Sequence, residues 1–310
     1  MKATTNIDTL DHKILKKLAE IIDCVNDSVY IVDENRRIKL WNKSAELLTG
    51  FSKKQTINKK CCEHLLNHVD ANGKELCRDG CPILKSINSG EPTRSNLFLH
   101  HKDGHRVHVD VEIFPLIDSN GKINGAIEVF RKATNHCTID NKTDNTLIRD
   151  ELTGTWTKKR LIKSLTSRID QLRIFGWNFA ILFIDVDKFK SINDTHGHVT
   201  GDKILVMIAK TLMSNLRAGD EIYRYGGEEF VIVLPDIKDQ EHLFQISEKL
   251  RKLVESCFLE TNGTLLNATI SLGGIIATGN DSAESLISKA DKLMYAAKKS
   301  GRNKSMIDNY

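Results

Sequence analysis

The chain has 310 residues, 40% hydrophobic and 28% charged, with a formal net charge of +4 spread along its length. This composition suits a globular protein of two ordinary domains and argues against a nucleic-acid partner, whose phosphates call for a concentrated basic face. The longest apolar run, residues 179–186, falls well short of the roughly 20 residues that span a bilayer.

The N-terminus lacks the basic-then-apolar layout of an export signal, so a cytoplasmic location is expected. Ile14, Leu15, Leu18, Ile21 and Ile22 recur at helical spacing and predict a helix from about residue 8 to 24, with residues 1–17 standing ahead of the first domain. Strands are expected at residues 29–32 and 38–41, turned by Asp33-Glu34-Asn35-Arg36-Arg37. Asn42 can cap a short helix over residues 42–48, which Gly50 stops. Further strands, residues 96–101 and 105–115, flank the turn Lys102-Asp103-Gly104, and a last one covers residues 125–130. Val107, Val109, Val111 and Ile113 alternate with His108, Asp110 and Glu112, so one face is buried and the other wet. The histidines of residues 100–108 are expected on solvent-facing strand positions.

This order of elements, centred on Ile38-Lys39-Leu40-Trp41-Asn42-Lys43-Ser44-Ala45-Glu46-Leu47-Leu48-Thr49-Gly50-Phe51, resembles a PAS sensor domain over residues 18–133. The resemblance implies an antiparallel-sheet module for signal input or dimerisation. Lys132-Ala133-Thr134 stands where many such domains carry an Asp-Ile-Thr-like coupling signature.

Four of the seven cysteines fall between residues 61 and 81. Cys62, Cys77 and Cys81 with His64 could hold zinc or an iron–sulfur cluster or act in redox sensing, although the spacing matches no standard ligand pattern. Buried free thiols are the alternative. No Cys-x-x-Cys-His for haem attachment is present, and His64, His68, His100 and His101 are only generic axial candidates. Residues 134–149 are polar and read as a linker.

In the second half, Asp150-Glu151-Leu152-Thr153-Gly154 precedes a helix from Lys158 to about Leu172. Residues 179–184 form a continuous apolar strand that runs into Asp185-Val186-Asp187. Acids at the end of a buried strand are costly unless paired or bound to a cation, and carboxylate and carbonyl oxygens are hard ligands that suit magnesium. A helix marked by Leu205, Ile208, Ala209, Leu212 and Leu216 follows Asp202. Strands at residues 221–225 and 230–234 enclose Gly226-Gly227, read as the two φ > 0 positions of a tight hairpin. Glu228 and Glu229 should then point to opposite faces, one toward a cation and one toward a reactant. A helix over about residues 240–257, a strand over 267–276 and a helix over 283–299 complete a ferredoxin-like β-α-β-β-α-β core, so the whole chain is expected to be α+β.

Residues 150–310 resemble a GGDEF diguanylate cyclase domain in its Gly-Gly-Glu-Glu-Phe form. The resemblance is carried by Asp150 to Gly154, Asp185 to Asp202, Arg224 to Phe230, Thr269 to Gly273 and Ala290-Asp291 to Asn303. Thr157, Lys158-Lys159 and Lys188 depart from the family's usual residues. The resemblance implies that Asp185, the Val186 carbonyl and Glu228 hold Mg²⁺ or Mn²⁺, and that Glu229 is the general base. It implies guanine contacts from Asn193 and Asp202 with His198 nearby. The triphosphate would be held by backbone at Lys188 and Phe189 with Lys190, Lys298 and Arg302. Two GTP on facing domains of a homodimer would yield cyclic di-GMP and two pyrophosphates. Arg217 and Asp220, an Arg-x-x-Asp ahead of the hairpin, would bind product as an inhibitor, with Arg251 a secondary contact. The alternative is a retired domain that binds GTP or cyclic di-GMP without turnover.

Overall fold

The computed structural model describes residues 20–63, 65–118, 120–133, 149–261 and 263–309. Of the expected helix over residues 8–24, residues 20–23 are helical, while its part up to residue 19, the linker up to residue 148 and His64 lie outside the described residues. The chain divides into two units, Met1–Thr134 and Asn135–Tyr310.

In the first unit β1 (Ser28–Asp33), β2 (Ile38–Trp41), β3 (Thr93–His100), β4 (Arg106–Ile117) and β5 (Ile123–Lys132) form an antiparallel sheet in the order β2-β1-β5-β4-β3. Three short helices, α1 (Lys43–Thr49), α2 (Lys53–Thr56) and α3 (Pro82–Ser89), intervene between β2 and β3. Asn42 begins α1 because its side chain accepts from the Ala45 and Val29 amides, both at 2.9 Å. Tyr30, Trp41 and Phe130 meet ring to ring at the centre of the sheet's covered face, 5.4 to 6.4 Å apart.

Two of the four histidines of residues 100–108 depart from expectation: His100 and His105 are buried, at 3% and 8% exposure, while His101 and His108 are partly exposed. The β4 strand starts at Arg106, so the turn is longer than the alternation suggested. His100 packs on Phe51, with ring centroids 6.4 Å apart.

In the second unit six strands lie in the order β13-β12-β7-β9-β8-β6. They are β6 (Trp156–Thr157), β7 (Phe179–Val186), β8 (Glu221–Arg224), β9 (Glu229–Pro235), β12 (Ile270–Ile276) and β13 (Ser305–Ile307), and a separate ribbon pairs β10 (Leu259–Thr261) with β11 (Thr264–Leu266). Central strand β7 is buried throughout because the sheet is covered twice. Ala180, Leu182, Ile184 and Val186 pack with α6 (His198–Met213) and α7 (Gln240–Glu255). Phe179, Ile181 and Phe183 pack with α4 (Lys158–Phe175) and α8 (Ala283–Lys299). The alternation puts Asp185, two residues beyond Phe183, on the α8 side. A short helix, α5 (Phe189–His196), leaves the end of β7.

Candidate active site

The turn between β8 and β9 contradicts the sequence reading of its glycines, since neither Gly226 nor Gly227 has a positive φ. A Cβ on Gly226 would meet Glu229 Oε2, so the small residue lets that carboxylate lie where it does. Arg224 holds the turn, donating to the Gly227 carbonyl (2.7 and 3.2 Å) and to both oxygens of Asp150 (3.0 and 3.1 Å). Asp150 in turn accepts from the Thr153 amide and hydroxyl at 2.8 and 2.7 Å, which explains the opening Asp-x-x-Thr pattern.

Glu229 pairs in register with Asp185 across β9 and β7, and the Glu228 carbonyl accepts from the Val186 amide at 3.3 Å. Glu228 precedes the strand, so strict alternation does not separate the two glutamates. Both carboxyls are pushed above their ordinary range, first by burial and second by the negative charge of Asp185. Burial also raises Asp185, with repulsion from Asp187 and Asp291 added to it. Lys298 Nζ lies 2.6 Å from Asp185 Oδ1 and is the counter-ion of this cluster. Asp291, which the sequence reading quoted within a matching motif but gave no role, stands two helical turns before Lys298 on α8; that seven-residue spacing was the available signal.

Asp187 does a different job from Asp185. It is buried and accepts from Ser271 Oγ (2.6 Å), Thr269 Oγ1 (2.7 Å) and the Asn303 amide (3.0 Å). It thereby fixes the 301–303 turn, where Arg302 and Asn303 both take positive φ. Arg251 is engaged by Glu248, Glu255 and Asn303 and so braces the same turn. A cleft of about 430 Å³ is lined by Asp187, Lys188, Ser191, Thr269, Arg302 and Asn303.

On the other side of α5, Asn193 Oδ1 is buried without a hydrogen-bond partner. It points at Gly201, where a Cβ would stand 1.9 Å away, so this glycine keeps the acceptor clear. Asp202, His198 and Lys190 are exposed beside it, and Phe189 is buried under the helix. Lys188 has φ 55° and turns the chain into α5. The first amides of that helix have no partner of their own within it. Far from the acids in the fold, Arg217 pairs with Asp220 (Nε to Oδ1 3.3 Å) and donates to the carbonyls of Pro235 and Asp236. Burial raises the Asp220 carboxyl despite Arg217, whose side chain stays half exposed.

The oxygens of Asp185, Glu228 and Glu229 are hard donors whose charges repel, and the chemistry of that set fits a divalent cation such as Mg²⁺ or Mn²⁺. Among the described residues, three donors within 4.8 Å of one another occur only at His101, Asp103 and His105. That set is a turn and not a chelate. The two imidazoles are stacked (4.2 Å, 30°), so an ion in the plane of one stands off the plane of the other, and His101 Nδ1 already accepts from the Asp103 amide.

Of the sequence's cysteine candidates, Cys77 and Cys81 are buried and Cys62 is partly so, all as free thiols. The Cys62 thiol is drawn down to about 6, chiefly by a hydrogen bond from Cys61 and then by Arg36, while burial pushes Cys77 up to about 12.

Residues 147–304 match the family described as "Diguanylate cyclase, GGDEF domain", and residues 22–136 match the PAS fold. Diguanylate cyclase DosC of Escherichia coli K12 is 42% identical over 130 residues, covering 42% of this chain and 28% of the relative. Response regulator PleD of Caulobacter vibrioides is 41% identical over 171 residues, 53% of this chain and 37% of PleD. The chain thus spans about a third of the length of these curated relatives. Among solved structures, the GGDEF domain of DgcB from Caulobacter crescentus in complex with c-di-GMP superposes with a TM-score of 0.51 at 27% identity, covering 55% of this chain and 97% of that one.

Proposed function

Because this chain belongs to the GGDEF diguanylate cyclase family, with a PAS domain ahead of it, we propose that it condenses two GTP into cyclic di-GMP and two pyrophosphates. The observation that carries this reading is the acid cluster on one sheet end, where the charges of Asp185, Glu228 and Glu229 act on one another and Lys298 pairs with Asp185. Asp185, the Val186 carbonyl and Glu228 would hold Mg²⁺ or Mn²⁺, which when bound offsets the charge of the triphosphate. Asn193 Oδ1, an acceptor kept clear by Gly201, suits the N–H edge of guanine, and Asp202 offers a second acceptor. His198 stands at the same helix junction. Phosphate oxygens would be met by the first amides of α5 at Phe189, by Lys190, by Lys298 and by Arg302.

Glu229 takes the proton of the 3′-hydroxyl, and its raised carboxyl makes it a stronger base than an ordinary glutamate. The 3′-oxygen of one GTP then bonds to the α-phosphorus of the other as the bond to pyrophosphate breaks, and the second step repeats this with roles exchanged. One domain binds one GTP, so a homodimer is required. The GTP substrate places the reaction in the cytoplasm. Arg217 and Asp220 would bind the product and restrain turnover, the arginine forking to phosphate or guanine. The PAS domain supplies regulation. Incubating the purified chain with GTP and Mg²⁺ and identifying the product tests the reading. Cyclic di-GMP with pyrophosphate is the expected result, and unconverted GTP bound to the protein would replace catalysis with a binding role.

A further inference from the structure

Helix α8 comes down onto the sheet at Gly273 of β12. A Cβ on Gly273 would meet the Ala290 carbonyl oxygen, the Met294 amide nitrogen and the Leu293 carbonyl carbon, all of them backbone. The φ of Gly273 is not positive, so the residue serves a close approach and not a turn. Backbone atoms cannot rotate aside as a side chain can. Any larger residue here must push α8 away from β12, by about an ångström or more to restore ordinary contact near 3.5 Å. Gly274 gives the contrast: a Cβ there would meet the ends of the Ile307, Leu182 and Leu243 side chains in the other layer, which can turn away.

The contact lies beside the acid cluster. Gly273 stands opposite Phe183 in the β12–β7 register, and Ser271, two residues before it, stands opposite Asp185. Residues two apart share a face of the strand, so the helix rests one side-chain step, about 7 Å, from the level of Asp185. On α8 the touching segment is residues 290–294, and Lys298 follows Met294 by one helical turn. Its Nζ reaches Asp185 Oδ1 at 2.6 Å. Asp291 lies within the touching segment, and its charge acts on Asp185 and Glu229. The ion pair cannot set the height of the helix, because a lysine on its flexible four-carbon stem accommodates several ångströms of movement. The backbone contact has no such slack.

We propose that Gly273 is a positioning residue for nucleotide binding and turnover: its missing side chain seats α8 against β12, and that seat carries Lys298 to the acid cluster and the triphosphate. The role is indirect, since Gly273 touches no substrate and acts through Lys298. It rests on the cyclase reading for the identity of the nucleotide.

Gly273→Ala and Gly274→Ala in the full chain test this, with 3′-deoxy-GTP and Mg²⁺ as the binding probe. That nucleotide lacks the hydroxyl that condenses, so calorimetry reads affinity whether or not the chain turns over. Gly273→Ala should weaken binding by roughly tenfold or more, the range of a lost hydrogen bond to a charged group. With GTP, kcat should fall by up to ~100-fold, as a ~1 Å misplacement can cause. Gly274→Ala should lower the melting temperature and leave affinity and kcat unchanged, which separates positioning from a loss of stability. In a Lys298→Met chain, Gly273→Ala should add no further loss of affinity, because both act through one contact. Equal effects of the two alanines, or losses that add with Lys298→Met, overturn the proposal. An unaltered chain that binds 3′-deoxy-GTP yet forms no cyclic di-GMP from GTP sinks the cyclase reading alone, and the affinity comparison still decides this one. Should Gly273→Ala fail to fold, hydrogen exchange of the Lys298→Met chain decides. Amides of residues 290–298 should exchange as in the unaltered chain, because the glycine and not the ion pair holds the helix, and faster exchange there overturns the proposal.

Discussion

At the scale of single residues, Glu229 carries the sharpest expectations. Glu229→Ala should lower turnover by at least about a hundredfold, in the range of a lost general base. GTP binding, measured by calorimetry, should persist. Cyclase activity close to that of the unaltered chain would remove the assigned role. The raised carboxyl also makes a stability claim. Folding favours its protonated form, so that contribution is full below the ordinary carboxylate pKa and is lost as pH rises through the raised value. Glu229→Gln should therefore melt higher than the unaltered protein at pH 8, and the gain should vanish by pH 4 in thermal scans. Gly226→Ala tests why that turn is small. The added methyl displaces Glu229 Oε2, so kcat should fall several-fold while the melting temperature scarcely moves.

At the scale of elements, the second acid of Asp185-Val186-Asp187 is a fastener. Asp187→Ala breaks three hydrogen bonds between β7, the start of β12 and the 301–303 turn. It should cost about 3 kcal/mol in denaturant melts and weaken the hold on triphosphate through Arg302. An unchanged melt would mean that the turn is held by Arg251 alone. Long elements were legible in the sequence because their patterns average over many residues: α8 spans residues 283–299 as expected, and β7 reads as doubly buried. Strands β6, β10, β11 and β13 were not, since two or three residues carry no period. The glycine pair was read by turn statistics, whereas neither takes a positive φ and only Gly226 is approached by a carboxylate, that of Glu229 three residues on. The place of Asp291 in the acid cluster and the burial of His100 and His105 escaped for a related reason, because their neighbours come from distant segments that no local pattern announces.

At the scale of the whole molecule, the proposed chemistry needs two copies. Initial rates should rise faster than linearly with enzyme concentration while dimers are scarce, and strictly proportional rates would exclude a shared site. Arg217→Ala should raise the product concentration for half-inhibition by roughly tenfold or more, as expected when a charged fork to phosphate is lost. Unaltered inhibition would detach that residue from regulation. The two-unit organisation was legible in the sequence from the change of pattern near residue 134, and the family relationships agree with it.

The clasp between Arg224 and Asp150 has a mechanical meaning. Asp150 is the doorstep of the second unit, one residue past Arg149, whose guanidinium lies 3.5 Å over the Trp156 ring with Arg160 at 3.4 Å. The same carboxylate grips the arginine that grips the Gly227 carbonyl. The loop that carries Glu228 and Glu229 is thus tied, through one ion pair, to the segment that opens the described part of the second unit.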